Sequence, residues 1–248
     1  AGLHCFCRFP DPNINQNTLF DMANQQPAGQ ETLGEAMNRT ELFLEKHGRT
    51  MSYAILALFV LAGLIFGYRA TIVAPRAEKA AELMAEAQRR FESQTPDYEL
   101  ALLGDANGAG FLDVIGQYGS TPSGNLAKHY AGICYLHMGD LENAAAYLAK
   151  FSSVRGLPGE IINAQNLGLQ GDVAVEMKDY AKAVKYYAKA VEASDNNLTA
   201  PMYLYKAALA EQAQGRKPEA AVLLERILAS YPMSMEARDA EKLLGSVN

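Results

Sequence analysis

The chain has 248 residues, 49% of them hydrophobic and 20% charged, with no tryptophan, three cysteines and a net charge of -6. A mildly acidic balance leaves no basic footprint for a phosphate backbone, so nucleic acid is excluded as a natural partner. Three scattered cysteines can build neither a disulfide scaffold nor a four-ligand zinc site.

Residues 1–21 show no periodicity and carry Cys5 and Cys7. They end just before Met22-Ala23-Asn24, which resembles a translation start, so this segment is expected to be upstream sequence without a fold of its own. Residues 22–50 form an arm. Within it Leu33, Met37, Leu42 and Phe43 recur at helical spacing, which fits either a short amphipathic surface helix or a helical extension of the apolar segment after it.

Thr50 to Tyr68 contains no charge. At 1.5 Å per residue, about 18 residues reach roughly 27 Å, close to the hydrocarbon thickness of a bilayer. Residues 51–74 are therefore expected to be a transmembrane anchor, with Tyr53 and Tyr68 at the headgroup levels and Arg49 and Arg69 beside them. A buried core helix is one alternative and a cleaved signal peptide the other, the latter opposed by the long preceding arm and by Pro75 directly after Ala74. Three Lys or Arg flank each end (Arg39, Lys46, Arg49 against Arg69, Arg76, Lys79), so the positive-inside count is a tie. Gly63 and Gly67 would permit close packing of two such helices, which keeps a homo-oligomer open.

Beyond a break expected at Pro75, residues 75–120 read as a stalk helix and a degenerate first repeat. The latter comprises Tyr98 to Leu103, a glycine-rich turn over 104–110 and Phe111 to Tyr118. No strand precedes the glycines and no Lys-Ser/Thr follows, which argues for a positive-φ turn over a phosphate cradle.

Residues 121–232 hold three similar units. Gly132 and Tyr135 precede Ala144 and Leu148; Gly171 precedes Tyr180, Ala183 and Tyr187; Leu204 and Ala208 precede Ala220, Leu224 and Pro232. Ala144, Ala183 and Ala220 recur at 39 and 37 residues, near the period of tetratricopeptide repeats. The small residues should let paired helices approach closely, Gly132 against Ala144 and Gly171 against Ala183. Residues 233–248 read as a capping helix. The fold class is all-α: one N-terminal transmembrane helix followed by a tetratricopeptide-like α-solenoid.

First helices line the inner face of such a solenoid. The register places Leu126, His129, Ile133, Leu136 and His137 inward in the first unit, and Gln165, Asp172 and Glu176 in the second. In the third, Met202, Tyr205, Leu209 and Gln212 take these positions. That wall, with an acidic centre, would suit peptides bearing hydrophobic and basic side chains; inter-repeat core is the alternative for about half of it. His129, Cys134 and His137 share a helix but lack a fourth ligand or an orienting carboxylate, so a packed cysteine with two partly exposed histidines is expected. No nucleophile-elbow, zincin or Walker pattern is present, so neither enzyme activity nor a cofactor nor a metal is expected.

An arm, one anchor helix (Tyr53 to Tyr68), a segment from Arg76, and repeat marks at Gly132, Tyr135, Ala144, Gly171, Tyr180, Ala183 and Pro232 resemble the ancillary SecYEG translocon subunit family of Gram-negative bacteria. The resemblance covers Met22 onward and implies a single-pass inner-membrane protein. In that family the N-terminus is cytoplasmic and the repeats are periplasmic. It also implies association with SecYEG, a membrane-anchored prolyl isomerase and soluble chaperones. An alternative is a scaffold for another envelope machine or a cytoplasm-facing adaptor. Of the 28 acidic and 22 basic residues, 22 and 17 lie from Arg76 onward, so the negative charge belongs to the repeats, which are expected to stand off the membrane on their stalk.

Overall fold

The computed structural model describes residues 33–247, with side chains from 47 to 245. The reading of residues 1–21 lies outside the described residues. The chain divides between Phe66 and Gly67 into two units.

In the first unit the backbone is helical from Leu33, and this helix, α1, ends at Tyr68. Every side chain from Met51 to Phe66 is exposed, including Phe59 at 72% and Phe66 at 75%. A core helix would bury these rings, so the core-helix alternative is set aside within the described residues. This is a helix long and apolar enough to cross a membrane.

The second unit begins without the expected break. Arg69–Val73 forms a π-helical turn in which Ala74 N–H donates to Arg69 O, and α2 (Ala74–Phe91) follows directly. Pro75 lacks an N–H and its ring crowds the carbonyl four residues earlier. A wider turn just before it absorbs both without ending the helix.

Nor is α2 a free stalk. Ala80, Met84 and Ala87 recur along one face and are buried, because α2 packs on α3 (Tyr98–Leu103), α4 (Phe111–Tyr118) and α5 (Pro122–His137). The core of this part is aromatic. Phe91 meets Tyr98 and Tyr130 edge-on at 5.7 and 5.1 Å, and Phe111 stacks on Tyr130 at 5.2 Å.

The glycine-rich turn is a miniature hairpin, β1 (Gly104–Asp105) paired with β2 (Gly108–Ala109). Gly104 has φ +73°, and a Cβ there would meet the Gly108 carbonyl and the Gly110 nitrogen, so only glycine fits. Arg90 staples the hairpin to α2. Its guanidinium donates to Asp105 at 2.7 Å and to the Gly108 and Leu100 carbonyls, while Glu86 accepts from Ala109 N–H. The Asn107 N–H and Arg90 hold the Asp105 carboxyl below the usual carboxylate range.

Three helical hairpins come next: α5 with α6 (Leu141–Ala149), α7 (Leu157–Glu176) with α8 (Tyr180–Ala193), and α9 (Ala200–Ala213) with α10 (Lys217–Ser230). The capping helix α11 is Met235–Val247. The glycines face the large residues of the second helices rather than the alanines. A Cβ on Gly132 would lie 2.5 Å from Leu148 Cγ, and one on Gly171 would lie 2.5 Å from Tyr187 Cε1. The missing methyl makes room for the bulky side chain one turn beyond Ala144 or Ala183, and those alanines are fully buried beside it. Ala208 and Leu224, both fully buried, hold the third pair of positions.

Successive helices run antiparallel, so the short turns 138–140, 177–179 and 214–216 share one edge and the longer connections 150–156, 194–199 and 231–234 share the other. Asn125, at the start of α5, exchanges two hydrogen bonds with the Ser152 backbone at 2.7 and 2.8 Å on this second edge. Tyr231 donates to Asp195 there, tying the two later connections together.

Candidate functional site

The first helices α5, α7 and α9 are coupled by polar pairs. Between α5 and α7, Asn166 Nδ2 donates to His129 Nδ1 at 3.1 Å, and Gln170 donates to Asn166 Oδ1 at 2.8 Å. Between α7 and α9, Lys206 donates to both Asp172 oxygens at 2.8 Å, and Tyr187 O–H donates to Asp172 at 2.7 Å. Each pair satisfies polar groups where helices close on one another.

A cavity of about 620 Å³ opens beside this ladder. It is lined by Leu136, His137, Gly139 and Leu141 from the α5–α6 hairpin and by Asp172, Val175, Glu176 and Tyr187 from α7 and α8. Four of the groove residues expected from register therefore converge: Leu136, His137, Asp172 and Glu176. His137 stacks on Tyr98 at 4.2 Å, which fixes its ring at the rim.

The remaining candidates lie elsewhere. His129, 1% exposed, and Ile133, 9% exposed, belong to the packing between helices. His129 is thus buried, not the partly exposed histidine expected. Its ring sits between Tyr130 and Phe151, and burial lowers its pKa to about 4, so it is a neutral imidazole at ordinary pH. Leu126 is half-buried against the aromatic core, and Met202 and Tyr205 are half-buried against the C-terminal core. Gln165 and Leu209 are exposed and Gln212 is half-buried, all away from the cavity lining.

The acidic centre is also altered. Asp172 is engaged by Lys206 and Tyr187, so its charge is largely neutralised, and exposed Glu176 carries the acidic character of the rim. Burial pushes Tyr203 up to about 12 and raises Tyr187 further, aided by its bond to Asp172, so both phenols stay neutral. Lys206 bears no local signal in the sequence, and at 34 residues after Asp172 it falls short of the 37–39-residue spacing of this chain's repeats. Gly168, whose missing Cβ admits the Tyr203 ring from α9, likewise lies outside the repeated small-residue positions.

Burial pushes the Cys134 thiol up to about 12, far from a reactive thiolate. Among the described residues no group of three or more His, Cys, Asp and Glu side chains converges as a metal site. The cavity offers one exposed carboxylate, a stacked imidazole and aliphatic walls.

Residues 164–197 match a tetratricopeptide repeat family model, and residues 203–234 match a second one. The first match covers most of α7 and all of α8, the second nearly all of α9 and all of α10. Their starts are 39 residues apart, so the long repeat spacing comes from the connection between units. The chain carries tetratricopeptide repeats in an all-α solenoid. No curated protein matches the chain.

Proposed function

We propose that this chain is a membrane-tethered adaptor without chemistry of its own, binding protein segments in the cavity between its first two hairpins. The observation that carries the reading is the convergence of Leu136, His137, Asp172 and Glu176, from two successive repeats, on one open cavity. Repeat solenoids use such inner surfaces to hold extended or helical peptides. Glu176 at the rim favours a basic side chain on the ligand, and Leu136, Leu141 and Val175 favour an apolar one beside it.

In this reading Thr50 to Tyr68 spans an inner membrane with the N-terminal arm in the cytoplasm and the repeats in the periplasm. The partners are the SecYEG channel and the chaperones around it, including a membrane-anchored prolyl isomerase. The architecture that resembles the translocon's ancillary subunits supports this choice over other envelope machines.

A photo-crosslinking residue in place of Glu176, activated in native membranes, tests it. Protein adducts that include SecY are expected. Adducts from an outer-face position such as Lys185 but none from 176 would remove the cavity from the reading. A phosphatase fused after Asn248 should be active; a stable, inactive fusion would make this a cytoplasm-facing adaptor.

A further inference from the structure

The exposed apolar side chains of the repeat domain are not scattered evenly. The four most exposed of its large apolar residues, among those described, are Leu157 (77%), Leu198 (76%), Met233 (96%) and Met235 (91%). All four sit on or directly beside the longer connections 150–156, 194–199 and 231–234, which share one edge. Val154 adds to them from the first connection. On the opposite edge the short turns offer Met138 and Met177, at 42% and 39%. Each exposed large apolar side chain forfeits the gain of leaving water, so four along one edge call for a cover.

The same edge receives the N-terminal end of the domain. Arg76, in the first turn of α2, donates to Gln117 O at 3.0 Å and lies 5.6 Å from the Tyr118 ring centroid, just before the α4–α5 connection. Arg76 stands seven residues after Arg69, at the end of the uncharged run, and the backbone between them is helical. A helical path of that length is only about 10 Å. Ile72 and Val73, exposed at 46% and 41%, carry apolar surface along this short path.

We infer that this loop edge faces the bilayer and seats Leu157, Leu198, Met233 and Met235 in the headgroup region. The inference rests on reading Thr50 to Tyr68 as the span. Charge at the edge is mixed, with Arg76, Lys150 and Arg155 against Glu160, Asp195 and Glu236. Asp195 is further engaged by Tyr231 and by Arg226 at 3.8 Å. Apolar insertion rather than attraction to anionic lipid is therefore the binding term. The cavity, bordered by the 138–140 turn, lies toward the other edge of the repeat domain.

The absence of tryptophan makes the test direct, because each introduced indole is the only one in the chain. The full chain is reconstituted in phosphatidylcholine vesicles with or without bromine on the upper acyl chain, as four single variants: Phe59→Trp, Leu198→Trp, Met233→Trp and Met177→Trp. Bromine should reduce emission about two-fold or more for Phe59→Trp, Leu198→Trp and Met233→Trp and leave Met177→Trp unchanged. Quenching at 59 with none at 198 and 233 overturns the inference while the span reading stands. No quenching at 59 overturns the span reading and the inference with it. Quenching at 177 as well would mean a domain lying flat, and would overturn the edge assignment.

Discussion

Two parts of the repeat domain solve one packing problem by different means. From α2 to α5, helices of unequal length close around Phe91, Tyr98, Phe111 and Tyr130, with the Arg90 staple holding a hairpin where a regular turn would stand. From α7 to α10, small residues repeat in step, and each bulky side chain enters a space vacated by a glycine or alanine on the facing helix. The regular part is the one the family models match. A solenoid thus needs periodic small residues only where helices must approach closely; elsewhere a few large rings fill the wider gap.

The greatest loss of stability should come from the irregular part. Phe111 is fully buried and has no periodic substitute, so Phe111→Ala should cost about 3–5 kcal/mol. Hydrogen exchange is expected to show protection lost in α2 to α5 and retained in α9 and α10, because stability in repeat arrays is carried by neighbours. Equal loss in both would abolish the distinction between the two parts.

In the regular part, Gly171→Ala adds one methyl against the Tyr187 ring. It should cost about 1–3 kcal/mol despite the helix-favouring substitution, since Tyr187 is also held by its bond to Asp172. Tyr187→Ala in the same chain should make the added methyl harmless, and a double-mutant cycle in denaturant measures that coupling. Absence of coupling would mean that Tyr187 does not set the requirement for glycine.

His129 bridges the two parts through Asn166. Its pKa in the folded chain, about 4, lies below the ordinary 6.5, so the unfolded chain takes up the proton first. Its contribution is full above about pH 6.5 and is lost as the pH falls toward 4. Between pH 6.5 and 5 the loss should be about 1–2 kcal/mol. Unfolding across this range in His129→Gln should be flatter by that amount, and an unchanged slope would mean that the ring is reached by protons in the folded state.

These features also mark how far the sequence alone reaches. Gly132, Gly171, Ala144 and Ala183 are readable because repetition exposes them, and the uncharged run ahead of Arg69 because length and composition suffice. Their exact partners are not, since a glycine announces a close approach without saying which side chain makes it. Arg90 and Asp105 meet across a hairpin too short to show strand alternation. Whether His129 faces a groove or a neighbouring helix depends on the offset between repeats, and helical register alone does not contain that offset. Asp172 and Lys206 belong with these: neither local pattern nor the repeat spacing pairs them.

A smaller shift is expected from the short turns. Those that close the three hairpins place a residue in the left-handed region, Gly139 at φ +78° and Gly215 at φ +76°, but Lys178 at φ +61° in the middle repeat. A side chain there costs about 1–2 kcal/mol, whereas glycine costs about 0.5–1 kcal/mol in unfolded-chain entropy. Lys178→Gly should therefore stabilise the chain by about 0.5–1 kcal/mol, read as a higher midpoint of thermal unfolding followed by circular dichroism. Gly139→Ala should move the midpoint the other way. The Asp179 carboxylate, which accepts from Lys182 N–H, starts the next helix in either case, so the change isolates the turn from the cap. A lower midpoint for Lys178→Gly would show that the lysine side chain, not the backbone angle, governs this turn.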